Sequence, residues 1–164
     1  EDRQVAQKVR AKYPVSGMYL NDGSTTPLWT VDWYSYSVLA ASDGLHLVRL
    51  GPWASSRSDE AFTCFVNGKQ IRTYKVGDLV DTSAILPQTA SHFRWEESIN
   101  LDDEKRLLSV TTLSKEKYVF DYTTGELVSA RRPLRGIVAA VGVILAFMAV
   151  WVVGRRRAAT RRAV

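Results

Sequence analysis

The chain has 164 residues, and its 22 Lys and Arg against 17 Asp and Glu give a formal net charge of +5. That charge is unevenly placed: residues 1–130 carry 14 basic and all 17 acidic residues, whereas residues 131–164 carry eight arginines and no acid. A nucleic-acid-binding domain carries its positive charge on the folded part, so the distribution argues against nucleic acid as a partner. The length leaves room for one compact domain before the C-terminal segment.

Residues 1–27 are predicted to be an N-terminal lead-in, either a short helix or extended chain. Val5 and Val9 stand four residues apart in a polar stretch, as on one side of a helix. Pro14 ends that pattern, because its ring disfavours helical geometry at the preceding residue. The cluster of Asn, Asp, Gly, Ser, Thr and Pro at 21–27 is typical of a turn.

Residues 28–130 are predicted to form a periplasmic β domain. Asn67-Gly68 is the strongest hairpin signal, and Ser42-Asp43-Gly44 is a second. The fold class we expect is mainly β, an antiparallel sandwich or a strongly twisted meander sheet, with one C-terminal transmembrane helix. The predicted strands are Leu28–Tyr36, Ser37–Ala41, Leu45–Leu50, Phe62–Val66, Lys69–Val76, His92–Asn100, Arg106–Leu113, Lys117–Tyr122 and Leu127–Ala130.

Alternation assigns faces to two of these strands. In the strand at 45–50, Leu47 lies on one face and Val48 on the other. In the strand at 28–36, Trp29 and Trp33 share a face with Val31, and the tyrosines occupy the opposite face.

Tyr34, Tyr36 and Trp53 are therefore candidates for a protein–protein interface, since exposed aromatic residues are enriched in such contacts. Two alternatives stay open at this point. Both faces of the sheet could be covered, or stacked tryptophans could form a carbohydrate platform.

The domain shows no pattern of an enzyme, a metal site or a cofactor site. Two separate histidines, His46 and His92, with one cysteine do not make a zinc pattern, and the sequence has no nucleophile elbow or phosphate loop. An enzyme would need one of these histidines beside a perturbed carboxylate in a cleft. Cys64 is expected to be a buried core residue. The acidic run 102–104 fits a solvated turn better than a calcium loop.

The C-terminal segment divides into a basic linker at 131–135, an uncharged run at 136–154 and a basic tail at 155–164. The run, GIVAAVGVILAFMAVWVVG, would span about 28 Å as a helix, close to the hydrocarbon thickness of a bilayer. It predicts a single transmembrane helix. The tail is predicted to be cytoplasmic because five arginines follow the run and three precede it. The topology residues of the tail are Arg155, Arg156, Arg157, Arg161 and Arg162.

That orientation puts the β domain in the periplasm of a bacterial cytoplasmic membrane. Export needs a signal, and a sequence starting at Glu1 is consistent with a signal peptide that has been removed or with a truncated sequence, in which a further N-terminal segment or a second helix would fit as well.

Small residues recur along the uncharged run at spacings of three and four, which places them on one stripe of the predicted helix. Small residues let helices approach closely in lipid, so the stripe is a candidate for docking against another membrane helix. Its members are Ala139, Gly142, Ala146 and Ala149.

Four strings of the β domain resemble a group of uncharacterised bacterial exported domains. They are DGLHLVRLGPW at 43–53, NGKQIRTYKVGDLVD at 67–81, LPQTASHFRW at 86–95 and KYVFDYTTGEL at 117–127. The resemblance covers most of residues 28–130. It implies a β domain outside the cytoplasmic membrane and carries no activity or catalytic residue.

These observations predict a non-catalytic, single-pass accessory subunit that braces a larger inner-membrane complex, such as a photosynthetic or respiratory one. Its expected partners are other membrane-protein subunits and the lipid bilayer, without a small-molecule substrate or cofactor. The alternative is a membrane-tethered module that binds or senses a periplasmic ligand, for which a concave pocket is expected.

Overall fold

The computed structural model describes residues 2–82 and 84–133. One helix and ten strands carry most of this part, with a single further helical turn. The elements are α1 (Asp2–Lys12), β1 (Gly17–Tyr19), β2 (Pro27–Thr30), β3 (Val38–Ala40), β4 (His46–Leu50), β5 (Glu60–Val66), β6 (Lys69–Lys75), α2 (Val76–Leu79), β7 (Glu96–Asp102), β8 (Leu107–Thr112), β9 (Lys117–Asp121) and β10 (Glu126–Arg131).

The predicted transmembrane run at 136–154 and the tail at 155–164 lie outside the described residues. Within 2–82 and 84–133, the structure has no helix of the length and apolarity that a membrane span requires.

The first large sheet contains β3 to β6, antiparallel and in chain order. Its hairpin between β5 and β6 turns at Asn67 and Gly68, which both have positive φ, of 49° and 74°. Such backbone angles are the ones that Asn-Gly supplies in a two-residue hairpin, and the predicted hairpin is confirmed. Gly44, at φ 68°, turns the chain between β3 and β4.

The second large sheet contains β7 to β10, again antiparallel and in chain order. Each large sheet is thus a four-stranded meander, built from local hairpins. The predicted class is confirmed in its general form: the described chain is mainly β, with antiparallel sheets that pack on each other.

The main core lies between the two sheets. Phe62 of the first sheet meets Phe120 of the second with ring centroids 5.0 Å apart. Tyr74 adds a third ring, 4.6 Å from Phe120. Cys64 is fully buried in the same cluster, which confirms its predicted core position. The other core side chains include Val48, Leu79, Trp95, Leu108, Val110, Tyr118 and Tyr122.

The outer face of the first sheet is covered by the β1–β2 hairpin and the segment that follows it. Trp29 packs there against Leu47 and Phe65, with Val31 and Trp33 beside them. The Trp29 indole N–H donates to the carbonyl of Gly44 at 2.8 Å. The predicted face assignments are therefore confirmed: Leu47 lies on this side of β4 and Val48 in the main core.

Two predicted strands are wrong in extent. The expected strand at 28–36 is regular only over Pro27–Thr30, because the next residues cross the outer face of the first sheet, where Trp33 stacks on Phe65 at 5.0 Å. The expected strand at 92–100 begins only at Glu96. Residues 92–95 lie outside any strand, and an isolated antiparallel β-bridge between Phe93 and Ala54 holds them.

Candidate functional site

One end of the second sheet is the place where the chain leaves the β fold. The register forms a row across the sheet there: Arg131 pairs with Lys117, and Lys117 pairs with Thr111. Thr112 pairs with Glu96, the first residue of β7. We call this row and the loops that contact it the exit end. At the opposite end lie the β7–β8 and β9–β10 turns, which we call the turn end.

Two long loops meet at the exit end and fix each other. The backbone N–H of Phe93, in the 80–95 loop, donates to the carbonyl of Ala54, in the 51–59 loop, at 2.8 Å. The Arg57 guanidinium reaches back across the same junction. It donates to the carbonyls of Val80 at 2.9 Å and of Thr82 and Ala84 at 3.4 Å. An Arg with several donors can hold a loop in one path, so both loops are presented in a defined conformation.

Large apolar side chains project from these loops into solvent. Ile85 is 99% exposed and Trp53 is 81% exposed. The Trp53 ring lies 6.2 Å from that of His92, whose Nδ1 is 2.7 Å from the Ser91 hydroxyl. Isolated exposed apolar residues are ordinary, but an exposed Trp and an exposed Ile on two loops that are hydrogen-bonded to each other favour contact with a partner.

The tyrosines predicted as interface residues lie in the segment between β2 and β3. Tyr34 and Tyr36 are 71% and 97% exposed, and their rings meet edge to face at 5.5 Å. Ser37 then accepts a hydrogen bond from the backbone N–H of Leu50, so the tyrosines stand where the 51–59 loop departs from β4. Their exposure leaves them available for contacts, and their role in an interface stays a prediction.

Charge is polarised along the second sheet. The exit end, counted with its two loops, carries five basic and five acidic residues, of which Glu116 is buried. The turn end has five acidic residues and two basic ones. The exit-end residues are Arg57, Arg94, Lys115, Lys117, Arg131, Asp59, Asp81, Glu96, Glu97 and Glu116; those of the turn end are Asp102, Asp103, Glu104, Asp121, Glu126, Lys105 and Arg106.

The β3–β4 turn of the first sheet, which contacts the turn end, holds the clearest group of titratable side chains. His46 Nδ1 lies 2.7 Å from Asp43 Oδ2, and the His46 ring is 6.0 Å from that of Tyr122. Burial raises the pKa of Asp43, but hydrogen bonds from His46 and from the backbone N–H groups of Leu45 and His46 outweigh it and leave the pKa below its ordinary value. A histidine beside a perturbed carboxylate is thus present. The Asp43 carboxylate also accepts hydrogen bonds from the backbone N–H groups of Leu45 and His46, so it stabilises the turn that it belongs to.

Asp103 joins the two sheets at this end. It accepts hydrogen bonds from the Tyr122 hydroxyl at 2.7 Å and the backbone N–H of Ser42 at 2.8 Å. Burial, followed by the hydrogen bond to Asp103, raises the pKa of Tyr122. The phenol therefore stays protonated and acts as a donor. No sequence motif marked this contact, because its members come from three separate turns.

The described residues contain no group of three or more His, Cys, Asp or Glu side chains arranged to hold a metal ion. The helix-docking candidates Ala139, Gly142, Ala146 and Ala149, and the tail arginines, lie outside the described residues. Ile85 and the Asp103 contact are the features that sequence reasoning missed.

No family model, curated protein or solved structure matches this chain.

Proposed function

We propose that the protein is a single-pass accessory subunit that braces a larger complex of a bacterial inner membrane on its periplasmic face. The observation that carries this proposal is the uncharged run at 136–154, which has the length of a membrane span and arginines on both sides. The run anchors the chain, with the basic tail at 155–164 in the cytoplasm. Photosynthetic and respiratory assemblies are the kinds of complex we have in view.

The exposed tyrosine pair supports a role in binding protein. Tyr34 and Tyr36 present two aromatic rings to solvent next to a well-packed sheet. Tyr is enriched in interfaces because it offers a large rigid surface with a polar tip. In the proposed complex this pair contacts the periplasmic part of a neighbouring subunit.

The small-residue stripe supports a second contact, inside the membrane. Gly142 and Ala146 stand four residues apart at its centre, where the absence of bulk allows a neighbouring helix to approach. In the proposed complex, the tyrosine pair contacts the partner outside the membrane, and the small-residue stripe contacts the same partner within it.

Co-purification after mild detergent extraction tests the proposal. The full chain is expected to recover a constant set of membrane proteins. Gly142→Leu with Ala146→Leu should reduce that recovery, whereas Val143→Leu with Ile144→Leu, on other faces of the predicted helix, should leave it unchanged. A chain that runs only as a monomer, without partners, would show the proposal to be wrong.

The tyrosine contact is tested separately in the same extracts. Tyr34→Ser with Tyr36→Ser should lower recovery of the partners. Val5→Ser with Val9→Ser removes exposed apolar surface of similar kind from α1 and serves as the control. Equal recovery from both double variants would exclude the tyrosines from the interface.

A further inference from the structure

We propose that the exit end of the β fold rests on the lipid surface, with Trp53 and Ile85 inserted at the level of the headgroups. This inference rests on the proposed function, since it requires that the chain be anchored by residues 136–154. It specifies which surface of the fold contacts the bilayer and which side chains enter the headgroup region.

The covalent connection limits how far the exit end can be from the membrane. Arg131 closes β10 at this end, and the uncharged run begins five residues later at Gly136. Five residues of extended chain reach at most about 18 Å. The turn end lies roughly 20 Å further along the strands, since β7 runs seven residues from Glu96 to Asp102. The exit end is therefore the one that the anchor holds near the bilayer.

The side chains at the exit end suit an interfacial position. Trp prefers the boundary between hydrocarbon and water, where its ring is partly buried and its N–H stays solvated. Ile85, at 99% exposure, gains from leaving water and has no polar group to desolvate. The Arg57 bonds hold its loop in place, so little conformational entropy is lost on insertion.

The charges of the second sheet favour the same orientation. Basic and acidic residues are equal in number at the exit end, and the exposed Arg94, Lys117 and Arg131 can approach the anionic phosphates of a lipid surface. Acidic residues dominate the turn end and are repelled by those phosphates. Trp53 is thereby assigned to lipid, while Tyr34 and Tyr36 stay available for protein.

Single-cysteine labelling of the full chain in vesicles tests this orientation. Ile85→Cys and Trp53→Cys place an environment-sensitive fluorophore at the exit end, and Glu104→Cys places it at the turn end as the matched exposed control. Cys64 stays in the chain as a silent residue, because it is fully buried and burial, with the nearby Asp121 charge, raises its thiol pKa to about 12. The unsubstituted chain gives the labelling background.

The vesicles contain phosphatidylcholine and phosphatidylglycerol with a nitroxide on a fraction of the headgroups. Quenching of the label at positions 85 and 53 should exceed that at position 104 by about threefold or more, because the two ends are separated by the length of a strand. The emission from position 85 should also shift to the blue when vesicles are added.

Flotation of the same samples separates this inference from the proposed function. If the chain floats with the vesicles and the three labels are quenched equally, or position 104 most strongly, the orientation is wrong while the anchoring stands. If the chain does not float, both the anchoring and the inference fail.

Discussion

Asp103 and Tyr122 form a hydrogen bond of 2.7 Å that joins two turns of the second sheet, and the other carboxylate oxygen of Asp103 accepts the backbone N–H of Ser42 from the first sheet. One side chain thus connects both sheets at the turn end. The apolar core packs the faces of the two sheets together, and the hydrogen bonds of Asp103 hold their turns in contact at one end.

Replacing Asp103 with Asn should lower the stability of the β fold near neutral pH, because the charged acceptor of two hydrogen bonds is lost. Hydrogen bonds from Ser42, then from Tyr122, hold the pKa of Asp103 below its ordinary value. A carboxylate with a depressed folded-state pKa contributes stability above its unfolded pKa, near 4, and that contribution is lost as pH falls through the folded value. The difference in urea midpoint between the wild type and Asp103→Asn should therefore shrink as the pH falls below 4.

Glu104→Gln is the control for this series, since it removes a neighbouring exposed carboxylate in the same turn. Its urea midpoint should stay close to that of the wild type at every pH. A midpoint difference for Asp103→Asn that does not change between pH 7 and acid would contradict the proposed titration.

Gly68, in the hairpin of the first sheet, is predicted to tolerate substitution poorly. It has φ of 74°, and a Cβ built there would overlap the carbonyl oxygen of Thr30 and lie 3.1 Å from the Trp29 ring. Gly68→Ala should therefore lose about 1–2 kcal/mol for the left-handed backbone and about 1–3 kcal/mol more for overpacking.

Gly23→Ala separates those two effects. Gly23 has φ of 86°, but the space around its built Cβ is open to 4 Å within the described chain. In chemical denaturation, Gly23→Ala should lose only the free energy of unfolding that comes from the left-handed backbone. Equal losses for the two variants would mean that the β1–β2 hairpin is not packed against Gly68.

Arg49 holds the segment around Trp33 onto the outer face of the first sheet. Its Nε and Nη2 donate to the two carboxylate oxygens of Glu60 at 3.0 and 2.7 Å, and its guanidinium lies 4.8 Å from the centre of the Trp33 ring. Arg49→Lys keeps the charge but loses the planar fork, so we expect a loss of about 1 kcal/mol and a red shift of tryptophan emission.

Arg72→Lys provides the comparison for that variant. Arg72 also lies over an aromatic ring, with its Cζ 5.7 Å from the centre of Tyr74, but it is exposed on an edge strand. Its stability change should be within about 0.5 kcal/mol. If Arg49→Lys is as silent as Arg72→Lys, the bidentate pair does not hold the Trp33 segment.

The sequence predicts the local parts of this fold well because they depend on neighbouring residues. Asn67-Gly68 defines its own hairpin, and alternation separates Leu47 from Val48. Prediction from the sequence fails where contacts between distant residues determine the conformation. The chain leaves β2 after Thr30 because Trp33 packs against Phe65 and Arg49 of another sheet. No local pattern in the sequence predicts that contact.

The candidate site divides in the same way. Strand alternation predicts the exposure of Tyr34 and Tyr36, and both are exposed although the strand ends at Thr30. The meeting of the 51–59 and 80–95 loops depends on Arg57 reaching carbonyls that lie 23 or more residues away in sequence. Such contacts become visible only in three dimensions.

The most direct test of the account is the membrane attachment of the full chain after expression in a bacterium. Washed membranes are extracted with alkaline carbonate, and the chain is measured in the pellet and the supernatant. The account predicts that the wild-type chain stays in the pellet, and that Val141→Arg with Leu145→Arg is released, because a charged side chain at the centre of a span costs about 2.5–3.5 kcal/mol. Leu127→Arg with Val128→Arg, which adds two arginines on the exposed part of β10, should stay in the pellet. Release of the wild-type chain into the supernatant would contradict the account.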